Sequence, residues 1–291
     1  MVLSRRNGGL RLIEQNEHGR VCGELCAHWG NAAFARPARP GSARIAAAMH
    51  DDGWREADAE PLFNADHGRP LSFLEIEMSE HVPLYRRGVE RVARLDAYAG
   101  LLVSMHWTGL YRGRWGLQSG GVFRSAGSGG EESLQDRAVA EQERSWIERK
   151  RDLMSQEPRA DFEIGLWHNY DVLQALDLLS LYACTADLAP AAVAGTERLT
   201  DVLKEIEAPP GPRVIGSVPA RPGAMRVDLV LTPLGDDAVV VDPYPFDQDN
   251  LELALSALTI PDRRYESADA MRAALAEADR TMAVCRFKRS R

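Results

Sequence analysis

The chain has 291 residues, 45% of them apolar and 27% charged, which is the balance of a folded globular protein rather than of a disordered or fibrous one. Its net charge of −8 and pI near 5.5 argue against a nucleic-acid partner, since phosphate binding draws on an excess of Lys and Arg. No run approaches the roughly 18 uninterrupted apolar residues of a membrane span, and Met1-Val2-Leu3-Ser4-Arg5-Arg6 lacks the apolar centre of a signal peptide. A cytoplasmic protein with no membrane partner is therefore expected.

Apolar residues recur at helical spacing over 16–34, 43–52, 80–95, 97–111, 132–155 and 163–186, so this region reads as all-helical. Pro37, Pro40 and Gly41 separate the first two helices, Gly53 stands where a C-terminal cap would follow the second, and 55–78 reads as loop. Six glycines and three serines fall within 116–131, a composition too poor in apolar surface to order itself, which predicts a mobile insertion serving as a lid or as a surface loop. Prolines and short β-branched runs mark a change of texture beyond Ala186, and the boundary is placed near 205. Residues 1–204 then form a helical domain and 205–291 a small α+β domain. The latter holds a hairpin of 227–231 with 238–241, a helix over 267–279 and a final strand over 281–287. The fold class expected is mainly α. Cys22, Cys26, Cys184 and Cys285 are too few and too scattered for a disulfide framework and read as buried thiols, although Cys22, Cys26 and His28 have a loosely zinc-like spacing.

The residues that point to chemistry sit on apolar helices. His50 and Asp51 end the apolar run 44–49, and an adjacent His-Asp pair offers a metal both an imidazole nitrogen and a carboxylate oxygen. His18 shares a stripe with Cys22, Leu25 and Trp29. His81 heads a stripe through Leu84, Tyr85, Gly88, Val92 and Leu95, where Gly88 gives room for another backbone, and His106 lies in a helix apolar on nearly every side. Asp177 lies on a face with Tyr170, Leu173, Leu181 and Cys184, a costly place for a carboxylate unless it is paired or metal-bound. Arg112 and Arg114 follow His106 and are candidates to clamp an anionic substrate, while Trp54, Asp58, Trp107 and Tyr111 are candidate pocket residues.

The order His18, His50-Asp51, His81, His106, Asp177 on successive helices resembles the HD-domain superfamily of metal-dependent phosphohydrolases, particularly its two-metal members and the related mixed-valent di-iron oxygenases. The resemblance covers residues 15 to 186. It implies an HD-type helical bundle, with His18, His50, Asp51 and Asp177 at the core metal positions, His81 and His106 holding a second ion, and His50 and Asp51 central to catalysis. Trp54 stands where many of these phosphohydrolases have a lysine. The chain is also similar to an uncharacterised bacterial family with this His-Asp-x-Gly-Trp segment and a C-terminal Pro-x-Pro-Phe, here 243–246. The HD resemblance implies a hydrolase with two divalent ions (Fe, Mn, Mg, Ni or Zn) acting on a small phosphorylated or otherwise anionic substrate. The alternatives are a di-iron oxygenase or a non-catalytic ligand-binding protein, and assembly as a homo-oligomer is open.

Overall fold

The computed structural model describes residues 1–6, 8–112, 133–189, 196–203 and 210–290. It begins with strands: β1 (Val2–Arg6) and β2 (Gly9–Ile13) form an antiparallel hairpin near whose turn Gly8 takes a φ of 76°, a conformation open to a residue without a Cβ. Then come α1 (Gln15–His28), α2 (Pro40–Met49), α3 (Arg55–Ala59), β3 (Phe63–Asn64), β4 (Arg69–Pro70), α4 (Met78–Leu95), α5 (Ala97–Tyr111), α6 (Leu134–Leu153) and α7 (Arg159–Thr185). The remainder is β5 (Glu197–Arg198), α8 (Leu199–Val202), β6 (Arg213–Pro219), β7 (Arg226–Gly235), β8 (Ala238–Asp242), β9 (Asn250–Pro261), α9 (Ala268–Ala276) and β10 (Arg280–Arg289). No helix among the described residues is long and apolar enough to cross a membrane.

Eight strands join one sheet in the order β1-β2-β9-β10-β8-β7-β6-β5. Alternation assigns its two faces. Val2 pairs with Ile13 and both enter the main core with α1, α2, α5 and α7, whereas the next pair, Leu3 with Leu12, packs with Ile260, Tyr265 and Met271 of α9 on the opposite face. The long α7 lies against β6 and β1, and α1 lies against β9, so the sheet backs the helices that carry a buried polar cluster.

This architecture corrects the expected fold class. About half of the chain is helical and about a quarter is strand, and the large sheet is not that of a mainly α, HD-type bundle followed by a small α+β unit. Because β2 pairs with β9, hydrogen bonds of the sheet join residues on both sides of position 205. Residues 55–78, read as loop, contain α3 and the β3–β4 pair. Gly53 is not a helix cap: it lies in a 3-10 turn over Asp52–Trp54, where a Cβ would come within 2.4 Å of the Leu84 carbonyl oxygen. Residues 116–131 and Arg114 lie outside the described residues.

Candidate metal centre

Four helices and one helix end bring the polar cluster together. His18 is on the second turn of α1, His50 and Asp51 leave the end of α2, His106 is inside α5 and Asp177 is in the middle of α7; His81 and Tyr85, one turn apart on α4, form a further wall. None of the six predicted residues is more than 5% exposed. Charged groups buried this deeply need partners, and the cluster supplies them from within.

The distances are specific. His18 Nε2 is 3.1 Å from His50 Nε2 and 3.1 Å from Asp177 Oδ1, while His50 Nε2 is 3.5 Å from both Asp177 Oδ1 and Asp51 Oδ2. His18 Nε2 to Asp51 Oδ2 is 3.7 Å. Two donors each about 2.0–2.2 Å from one ion, at angles between octahedral and tetrahedral, are themselves about 2.8–3.6 Å apart, so the observed spacing is close to that of a first coordination shell. His50, His106 and Asp177 form a second group of donors within 4.8 Å of one another. His81 borders the same cavity but belongs to neither group.

Hydrogen bonds on the far side of each imidazole fix which nitrogen faces the cluster. His50 Nδ1 lies 2.8 Å from the Ala47 carbonyl, which only accepts, so Nδ1 carries the proton and neutral His50 presents the Nε2 lone pair. His18 Nδ1 lies 2.8 Å from Ser180 Oγ, whose own hydroxyl donates to the Asp177 carbonyl at 2.8 Å. The bond is therefore His18 Nδ1–H to Ser180, and again Nε2 faces inward. Two lone pairs 3.1 Å apart repel unless a proton or a metal ion sits between them. Tyr85 Oη donates to Asp51 Oδ1 at 2.7 Å, leaving Oδ2 for the histidines, and the Tyr111 hydroxyl and His81 Nδ1 are 2.9 Å apart.

The ionisation equilibria reflect this packing. Burial opposes charge on His50, but Asp51 and a hydrogen bond to Asp177 outweigh it and raise the imidazole well above 6.5. Burial likewise opposes charge on Asp177, and bonds from His18 and His50 outweigh it, holding the carboxyl well below 3.8. Burial pushes His81 down to about 4, and burial together with the charge on His50 pushes His106 down to about 4. For these two depressed histidines the unfolded chain takes up protons first, near 6.5, so their effect is to lower stability progressively as pH falls from about 6.5 to about 4. His50 acts in the opposite sense, stabilising below 6.5 and ceasing to do so as pH rises through its raised folded value. Urea unfolding of the metal-free protein should show the net result as a falling midpoint between about pH 6.5 and about pH 4, with the fall reduced by a joint replacement of His81 and His106 and a remainder left to His168, whose imidazole burial also lowers.

The other predicted residues are spread more widely. Trp54 is buried with its ring 5.5 Å from that of His81, and Trp107 stacks on Tyr85 at 5.8 Å. Asp58 accepts the backbone N–H groups of Gln15 (2.6 Å) and Asn16 (3.3 Å) at the start of α1, and Arg112 is paired on the surface with Glu143 at 2.8 Å; neither lines the cavity. Sequence reasoning missed Tyr85, Gln174 and Ser180 as partners of the cluster, and it missed the contact of the Cys22 thiol with His50. A signal existed: Tyr85 is four residues after His81, and Gln174 and Ser180 flank Asp177 by three on the same side of α7.

A family described as a protein of unknown function, DUF3891, matches residues 1–262. The chain belongs to the DUF3891 family. No curated protein and no solved structure matches it. The DUF3891 match runs through the N-terminal hairpin, every residue of the cluster and β9, and thus takes in the sheet as well as the helices. It corrects the HD identification and the hydrolase activity drawn from it: the family that matches is a different one, and the sheet is foreign to an HD helical domain. A few His and Asp positions in a given order are a short motif, and unrelated folds can satisfy it. What the DUF3891 chain does possess is a set of buried histidines and aspartates that could hold a metal ion.

Proposed function

We propose that the protein is a metal-dependent enzyme acting on a small molecule, with a divalent ion bound by His18, His50, Asp51 and Asp177 and a second position open to an ion at His106. The donor spacing carries this reading: the inward-facing nitrogens of His18 and His50 lie 3.1–3.7 Å from each other and from one oxygen each of Asp51 and Asp177, and His18 Nδ1, His50 Nδ1 and Asp51 Oδ1 are engaged elsewhere. A mixed set of imidazole and carboxylate, with no thiolate in either donor group, suits Fe, Mn, Zn or Ni better than the oxygen-rich shells preferred by Mg.

An ion held there would supply a polarising charge and lower the pKa of a bound water to near 7. The protein's own groups divide the remaining work. Tyr85 orients Asp51, and Ser180 and the Ala47 carbonyl orient His18 and His50. Phe73, Leu110 and Leu181 make the apolar part of the cavity wall. The cavity measures about 20 Å³, which suffices for one water-sized group. Its described lining contains no Lys or Arg, and Arg112 is committed to Glu143, so the reading favours an uncharged substrate over a phosphorylated one.

Metal-stripped protein reloaded separately with Fe²⁺, Mn²⁺, Zn²⁺ and Ni²⁺ tests this reading against panels of uncharged esters, amides and alcohols, with product formation and O₂ uptake both recorded. Turnover with at least one ion, lost on chelation, is expected. Stoichiometric ion binding with no turnover on any panel would make the metal structural and contradict the enzyme reading.

A further inference from the structure

Helix α7 presents Gln174, Asp177 and Ser180 to the cluster at successive intervals of three residues, and the first of these has a consequence for His106. Gln174 Nε2 lies 3.0 Å from His106 Nδ1, and both side chains are buried. An amide nitrogen only donates, so in this arrangement Nδ1 accepts and neutral His106 carries its proton on Nε2. That nitrogen then has no lone pair for an ion, although His106 stands with His50 and Asp177 in one donor group and its ring is 4.8 Å from that of His50. The amide's other atom, Gln174 Oε1, is buried without a hydrogen-bond partner. The same side chain therefore holds an unused acceptor beside a histidine that lacks one.

We infer that Gln174 is a positioning residue that governs whether His106 ligates: a half-turn of its amide sets Oε1 against Nδ1–H and frees the Nε2 lone pair. This rests on the metal-site reading above and adds to it a control over the number of imidazole ligands. With the amide as found, His106 is a proton-bearing neighbour of the ion; with the amide turned, it becomes a ligand. His18 and His50 have no such freedom, because a serine hydroxyl bound to a carbonyl and a backbone carbonyl hold them in the ligating form. The exchange conserves protons: one leaves His106 Nε2 to water and one is taken up from water at Nδ1, so the ring is neutral in both forms.

The test uses the full chain, stripped of metal and titrated with Co²⁺ alone, reading both affinity and the visible absorption bands that report ligand number. In Gln174→Leu nothing accepts from Nδ1–H, and Co²⁺ should bind about 10–100-fold more weakly, the usual effect of losing an outer partner, with bands shifted toward those of His106→Ala. In Gln174→Glu the carboxylate only accepts, which enforces the ligating form, and wild-type bands and affinity should be kept. Gln174→Met replaces the leucine variant if circular dichroism shows that it has not folded. Wild-type binding and bands in both the apolar variant and His106→Ala would overturn the inference alone, as would a glutamate variant that behaves like the leucine one. Absence of Co²⁺ binding by the wild type would instead overturn the metal-site reading, and this inference with it.

Discussion

Replacing His50 with alanine is expected to lower the affinity for a divalent ion by more than about 100-fold, beyond the usual cost of losing an outer partner. His50 belongs to both donor groups, and its Nε2 lies 3.1–3.5 Å from His18, Asp51 and Asp177. No other described side chain belongs to both groups at such distances from all three. An ion bound only by the folded state adds about 2.7 kcal/mol at a concentration about one hundred times Kd, so wild-type protein should melt higher with added Zn²⁺ or Mn²⁺. The His50→Ala protein should melt at the same temperature with and without the ion. A metal-induced shift equal to that of wild type in the variant would show that the ion binds elsewhere.

The second large effect is expected from Gly88→Val. A Cβ at Gly88 would come 2.7 Å from the backbone nitrogen of Gly53, and a Cβ at Gly53 would come 2.4 Å from the Leu84 carbonyl oxygen, so α4 and the turn after Asp51 cross backbone to backbone. Arg91 fastens the same crossing through Asp52 at 2.6 Å. Overpacking of this kind costs about 1–3 kcal/mol, and it should separate Tyr85 and His81 from Asp51 as well as lower the melting temperature by several degrees. Gly41→Ala serves as the control, since a Cβ there meets nothing within 4 Å. Equal stability of the Gly88 variant and the control would contradict the close crossing.

The helices that hold the cluster could be read from the sequence because α1, α2 and α4 carry apolar residues at helical spacing and α5 and α7 are apolar over most of their surface, and the six polar residues stood out as interruptions of that apolar surface. The sheet could not be read so easily. β9 runs Leu-Glu-Leu-Ala-Leu-Ser-Ala-Leu, whose alternation is regular but whose residues are good helix formers, so propensity masks the period of two. β1 and β2 are five residues each, shorter than a convincing alternating run, and the Asn7-Gly8 dipeptide between them was the stronger clue. Without those strands the helices read as a free-standing bundle, and the order of His and Asp residues then drew the HD resemblance. Asp58 was a candidate pocket residue and Arg112 a candidate anion clamp because it follows His106, yet Asp58 accepts backbone N–H groups at the start of α1 and Arg112 pairs with Glu143. Outer partners such as Ser180 carry no signal until the direction of each imidazole is known.

The most direct measurement is anomalous diffraction from crystals of metal-stripped protein soaked in Zn²⁺ or Mn²⁺, recorded on both sides of the metal's absorption edge. The account predicts a single strong peak, or a pair, bounded by His18 Nε2, His50 Nε2, Asp51 and Asp177 at about 2.0–2.3 Å from each. A protein that takes up no ion, or one whose anomalous peaks lie only at surface carboxylates while His18 and His50 remain in contact with each other, would contradict it.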